Sequence, residues 1–249
     1  MGYDDDEMAS TEPGPPPPSS GPPPLVGWTQ GDGSAMDRAW LADWRRRVAT
    51  LYAEVRGMAA NDPAIALAHW RAVREVLYRE HPQSPLAPDA RATFEARHFE
   101  HDPALRFEVA IEPAPPPAPG ALALELPNSG ADTLSFTRVG RIEIPFPEGA
   151  RSLSVFWMAG YGGGLFIPFR DATNGVETYG AGRYLVDGAK SADLGGDPAG
   201  AGQGAAGTLI ADFNFAYQPS CAFDPRWACP LAPPENRLDI AIRAGERLA

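Results

Sequence analysis

The sequence predicts an α+β protein: two N-terminal helices packed on a mostly antiparallel β-sandwich or barrel of about seven or eight strands. Three observations carry this. Between residues 36 and 80, apolar side chains recur every three or four positions, the spacing of one helix face. After residue 90, short runs rich in β-branched and aromatic residues alternate with polar ones, the period of a half-buried strand. Gly, Pro and Asn separate those runs, which favours short antiparallel connections. Helices first and strands after them is an α+β order.

Residues 1–35 read as a disordered tail. "TEPGPPPPSSGPPPL" is too rich in Pro, Ser and Gly to pack and favours extended polyproline II. It would also suit the aromatic groove of a partner, although a plain solvated tail explains the composition. A single α+β domain is expected over 36–249. Ser34 or Asp37 can cap the first helix. Trp40, Trp44, Val48, Leu51 and Val55 form its stripe, Arg45, Arg46 and Arg47 lie largely off it, and Gly57 marks its end. Asp62 caps the second helix, with Pro63 in its first turn. Its stripe runs through Leu67, Trp70, Val73 or Arg74, and Leu77, until the prolines of "HPQSPLAP" stop it.

The strand candidates follow in order. "LRFEVAIE" alternates cleanly, and a proline run connects it to "ALALELP", "LSFTRVGRIEIPF" and "SLSVFWM". "GLFIPFRD" and "ETYGAGRYLVD" should fold into a hairpin at Asn174-Gly175, a pair that tolerates positive φ. "TLIADFNFAY" and "LDIAIRAGE" complete the set. The Gly/Ala-rich stretch 195–207 has almost nothing to bury and is expected to be a flexible loop. It lacks the Lys-Ser/Thr ending of a phosphate-binding loop.

Charge narrows the function. The net charge is −11, and residues 1–35 hold six acids and no base. An acidic surface repels a phosphate backbone, so a nucleic-acid partner is not expected. No apolar stretch approaches the ~20 residues of a membrane-spanning helix, and no secretory signal opens the chain. Two cysteines in 249 residues do not make a disulfide framework. The expectation is a cytoplasmic protein without membrane or nucleic-acid partners, its oligomeric state open.

Polar groups gather in "FRDATNGVETYGAGRYLVD". Alternation puts Glu177, Tyr179 and Arg183 on one face of a strand, with Arg170, Asp171 and Tyr184 nearby. Gly180 and Gly182 leave space, or mark a bulge or a close backbone approach. Asp212 and Asn214 share a face of the next strand, ahead of Tyr217. These nine residues are the candidates for a pocket taking a small polar or anionic ligand. Arginine would pair the charge, and tyrosine would hydrogen-bond or stack. An arginine–carboxylate pair tying the hairpin explains the same trio.

Cys221 and Cys229 flank "AFDPRWA". A zinc site needs four N or S ligands, and the four histidines, His69, His81, His98 and His101, lie in the first half. A Cys₂His₂ set with His98 and His101 is the metal alternative, but buried packing is the simpler reading, and no metal or cofactor is expected. A hydrolase would use Asp171, Glu177 or Asp212 as acid or base, or Cys221 as nucleophile. The sequence has neither a G-x-S-x-G elbow nor an HExxH pair. A structural or partner-binding role is a further alternative.

"LFIPFRDATNGVETYGAGRYLVD", "DFNFAYQPSCAFDPRWACPLAPPENRL" and the final "AGE" together resemble the bacterial and archaeal family called domain of unknown function 1684. The likeness covers about residues 36–249, with the proline-rich tail and the Gly/Ala stretch as additions. It implies kinship without an established activity and supplies no catalytic residues.

Overall fold

Ser34 opens the first helix, α1 (Ala35–Ala59), through a reciprocal cap: its side chain accepts from the Asp37 backbone while Asp37 accepts from the Ser34 backbone. The computed structural model describes residues 34–115, 124–125, 135–159, 163–199 and 206–248. The expected tail before Ser34, and residues 200–205 of the expected flexible loop, therefore lie outside the described residues. α1 runs past Gly57 to Ala59, because Gly57 keeps the helical conformation and nothing crowds it. In α2 (Pro63–Glu80), Asp62 accepts from the backbones of Ala64 and Ile65, and Pro63 fills the first turn where no donor is needed. Pro82 follows the C-cap His81, whose own N–H still reaches Leu77. Among the described residues, no helix is long and apolar enough to cross a membrane.

The strands are β1 (Arg106–Pro113), β2 (Leu124–Glu125), β3 (Ser135–Phe146), β4 (Gly149–Met158), β5 (Gly164–Phe169), β6 (Arg183–Asp187) and β7 (Thr208–Asp212). Six of them form one antiparallel sheet in the order β6-β5-β4-β3-β1-β7, and the two-residue β2 pairs β3 off that path. The sheet curls into a half-barrel. Its ends are joined through the segment after β7, where Tyr184 of β6 and Tyr217 exchange backbone hydrogen bonds of 2.9 and 3.1 Å. The expected seven or eight strands in a sandwich or barrel are thus corrected to six main strands in a single curled layer. "LDIAIRAGE" forms no strand. Around it stand only isolated bridges, Arg170 with Arg237 just before it and His98 with Glu246 at its end. Ile240 O also accepts from Ala172 N and Glu246 N donates to Ala216 O, while the Arg183 and Asp171 side chains meet the backbone of Ile242.

A bulge between Arg138 and Gly140 assigns the two faces of β3. A one-residue insertion reverses which side even-numbered residues face. Phe136 therefore packs with the helices, beside Phe156, Phe166 and Trp70, while Ile142 and Ile144 join Leu153, Val155, Ile167 and Phe169 in the other core. Leu238, Ile242 and Ala244 of the C-terminal segment complete that second core.

Arg183 fixes this segment. Its side chain has no exposed surface and donates to the carbonyl of Ala244, to Glu246 O at 3.2 Å and to Ile242 O at 2.7 Å. It also meets Asp171 Oδ2 at 3.3 Å, and Asp171 in turn accepts from Ile242 N at 2.7 Å and from the Thr173 hydroxyl. Burial draws the Arg183 pKa down to about 10 against the opposing pull of Asp171 and Glu246. Just before it, Gly182 sits at φ 105 with its α-carbon against the Phe169 carbonyl, a close approach that leaves no room for a Cβ. Removing one member of a buried pair leaves the other charge unpaired and costs about 3–5 kcal/mol. Arg183→Met should lower the urea midpoint accordingly, and a loss below ~1 kcal/mol would show that the segment is held by something else.

Candidate functional site

Helical spacing puts Arg74 in the apolar stripe of α2, four residues after Trp70 and four before Tyr78. Its guanidinium is nearly buried, which a charge tolerates when it is paired. Glu246 supplies the pair at 2.6 Å, and Arg74 also donates to the Tyr78 hydroxyl. Three rings surround it: Tyr217 at 4.3 Å, Tyr78 at 4.6 Å and Trp70 at 5.1 Å from the guanidinium carbon. Burial would lower the Arg74 pKa, but Glu246 and Tyr78 more than offset it and leave it raised, so Arg74 is a permanent cation.

Arg74 lines a cavity of about 60 Å³ between α1, α2 and the segment 217–230. Trp44 and Tyr52 line it from α1, Tyr78 from α2, and Tyr217, Trp227 and Cys229 from the far side. Lys190 reaches the same space while paired with Asp187 at 3.2 Å; the same Asp187 oxygen accepts from the Tyr217 hydroxyl at 3.0 Å. Arg45 lies exposed at the wall, with no ion-pair partner among the described residues. Burial pushes the Tyr52 hydroxyl up to about 12 and raises those of Tyr78 and Tyr217 as well, so all three stay protonated donors. The lining can therefore donate hydrogen bonds and offers one unbalanced positive charge. At ~10–15 Å³ per water, the volume suits a compact group.

Of the nine residues singled out in the sequence, Tyr217 lines this cavity. Tyr184 stands behind it, its ring 5.7 Å from that of Tyr217 and its hydroxyl donating to Pro230 O at 2.6 Å. Asp171 and Arg183 meet each other in the buried clamp. Arg170 carries one side of the Arg237 bridge, and Glu177 pairs with Arg243 at 2.8 Å. Tyr179 packs against Cys221, Trp227 and Cys229. Asp212 and Asn214 do not share a strand face, because β7 ends at Asp212. Its carboxylate caps the turn Phe213–Phe215 and accepts from Asn214, whose side chain also bonds the Asp102 backbone on both sides. The expected face of Glu177, Tyr179 and Arg183 does not form either. Residues 171–182 fold into turns, with Thr173 O accepting from Val176, Glu177 and Thr178, and β6 starts at Arg183.

Both cysteines are buried and form no disulfide with each other, and Cys221 N donates to Cys229 Sγ at 3.3 Å. Hydrogen bonding to Cys221, and then burial, push the Cys229 thiol up, so it is no ready nucleophile. Among the described residues, no three His, Cys, Asp or Glu are grouped to hold a metal ion. Arg74, Tyr52, Tyr78, Lys190 and Glu246 escaped the sequence reading. The signal for Arg74 was a charged residue inside an apolar helical stripe.

Residues 93–247 match the family described as "Protein of unknown function (DUF1684)". The solution structure of an uncharacterised protein from Haloarcula marismortui is 30% identical, with a TM-score of 0.53. The match covers 76% of this chain and 96% of that one. No curated protein matches.

The Arg74–Glu246 pair has a titrating neighbour. His98 bridges Glu246 through the backbone, stacks edge-on against Trp70 at 5.9 Å and leaves Nε2 without a partner among the described residues. Burial draws its pKa down to about 4; Arg71 and Arg74 add to this, while Glu246 and the Ala96 backbone oppose it. Neutral His98 therefore stabilises the fold fully above its unfolded pKa of about 6.5, and that contribution is lost as the pH falls through about 4. Stability should drop by roughly 3 kcal/mol over this window, since each tenfold difference in proton affinity is worth about 1.4 kcal/mol. Denaturant titrations of His98→Gln should lack this limb of the pH profile; an identical profile would place the titration elsewhere.

Proposed function

The chain belongs to the DUF1684 family of proteins of unknown function, and we propose that it binds a small polar or anionic ligand in the cavity beside Arg74. One observation carries this reading: a buried arginine, anchored by a carboxylate and three rings, faces a cavity in the middle of an otherwise apolar helix stripe. Packing alone would be served better by leucine at that position, since burying an ion pair costs desolvation on both partners. The preformed cation and the protonated hydroxyls of Tyr52 and Tyr78 form a donor-rich wall for acceptor oxygens, while the Tyr217 hydroxyl is committed to Asp187 and contributes its ring. Arg45 at the edge supplies the charge that Glu246 and Asp187 do not cancel. The ligand, or the part of it that enters, is compact: a carboxylate, phosphate or sulfonate group fits this volume and chemistry.

The reading moves the binding role away from Arg183 and keeps Tyr217. A hydrolytic role would require an accessible acid, base or nucleophile at the cavity, and the Cys229 thiol on its wall is held protonated. Thermal unfolding of the wild type against a panel of inorganic phosphate, sulfate, acetate and small anionic metabolites tests the proposal. Saturation at a hundredfold excess over Kd is worth about 2.7 kcal/mol, a rise of several degrees. Arg45→Gln, exposed and remote from the core, should keep the unliganded melting temperature and lose most of that rise. Absence of stabilisation by every compound, or equal stabilisation of Arg45→Gln, would sink the assignment.

A further inference from the structure

A second concavity lies on the other side of the wall made by Glu246 and Gln218. Its volume is about 410 Å³, several times that of the Arg74 cavity and within the range of small-molecule sites. Phe94 and Phe223 form one side of it, their rings 5.9 Å apart and edge-on, each braced by Tyr78 at 5.6 and 5.2 Å. Arg97 and Arg247 also line it. Their backbones are tied, Arg247 N donating to Arg97 O at 2.9 Å, so the two side chains leave neighbouring points of a fixed frame. Both are exposed, and neither has an ion-pair partner among the described residues; the Arg247 guanidinium rests over the Phe99 ring at 5.7 Å.

The base of this cleft is polar as well. Gln218 is 5% exposed; its backbone N–H is bound to Glu246 and its side-chain N–H donates to Arg247 O at 3.3 Å. Its Oε1 is buried with no partner among the described residues. The carboxylate of Glu246 is already neutralised by Arg74. Glu95 is the other acid on the lining, so the two arginines leave the cleft net positive.

We propose that this cleft is a second ligand site, which takes a small carboxylate carrying an apolar, preferably aromatic, body. Arg97 and Arg247 pair the carboxylate, and paired guanidinium donors favour that planar group over a point charge. Phe94 and Phe223 cover the ring. The site differs from the Arg74 cavity in volume and in residues, sharing the Gln218 wall, and its occupancy does not depend on a ligand in that cavity.

Isothermal titration of the full chain with phenylacetate tests the assignment, with phenylacetamide and acetate as companions. Phenylacetate should bind, while phenylacetamide, which lacks the charge, and acetate, which lacks the ring, should each bind at least tenfold more weakly. The double variant Arg97→Gln/Arg247→Gln should weaken phenylacetate binding by tenfold or more at an unchanged melting temperature, because both side chains are exposed. Phe223→Ala should weaken phenylacetate without affecting acetate. Arg45→Gln, at the first cavity, should bind phenylacetate as the wild type does. Undetectable phenylacetate binding, equal binding of the amide, or a loss seen in Arg45→Gln but absent in the double arginine variant would overturn the proposal. The last result would assign the anion to the first cavity, so failure of this site and failure of the first are told apart.

Discussion

One buried guanidinium holds the two halves of the molecule in register. Arg183 stands at the start of β6 and donates to three backbone carbonyls of the C-terminal segment and to Asp171 in the loop after β5. That segment is irregular, and its carbonyls have no neighbouring strand to donate to them. Buried backbone acceptors must be satisfied somewhere, and an apolar side chain of the same size could not do it. The cost of burying the charge is thus offset by solving several acceptor problems at once. With the segment fixed, Leu238, Ile242 and Ala244 close one core, and Glu246 arrives where α2 needs a carboxylate.

The site follows from that placement. Arg74 tolerates burial because Glu246 meets it, and Glu246 is positioned by Gln218 N and by its own N–H on Ala216 O at 2.8 Å. Helix, sheet end and C-terminal segment therefore converge on one ion pair, and the cavities lie on either side of it. Each borrows rigidity from the same wall while presenting different chemistry: hydroxyl donors and a buried cation on one side, exposed arginines and phenylalanines on the other.

Much of the local structure was legible from the chain. Ser34, Asp62 and Pro63 set the helix starts through short-range hydrogen bonding, which depends on near neighbours alone. Gly57 misled because a glycine ends a helix only where the chain takes positive φ, and here it does not. Strand positions were readable from alternation, but strand number was not. "LDIAIRAGE" alternates as a strand does, yet its partners are the Arg183 side chain and isolated bridges, and periodicity reports burial rather than pairing. The polar face drawn from Glu177 to Arg183 failed for a related reason: turns around Thr173 cancel the alternation on which it rested. The site itself required contacts between residues 74, 190, 217 and 246, and no local pattern encodes their convergence. Arg74 alone left a trace.

The curled sheet has a consequence for how the protein behaves at high concentration. A half-barrel has two free edges, and an unpaired strand edge is a template on which another chain can add. Here both are occupied from within. The segment before β7 runs along it, with Thr208 N on Asp197 O at 2.8 Å and Ile210 N on Gly195 O at 2.9 Å, while Tyr184 and Asp187 of β6 pair with Tyr217 and Ala192. The Tyr184–Tyr217 contact that brings the sheet ends together therefore also acts as a guard against self-association, blunting the edges from which ordered aggregates would grow.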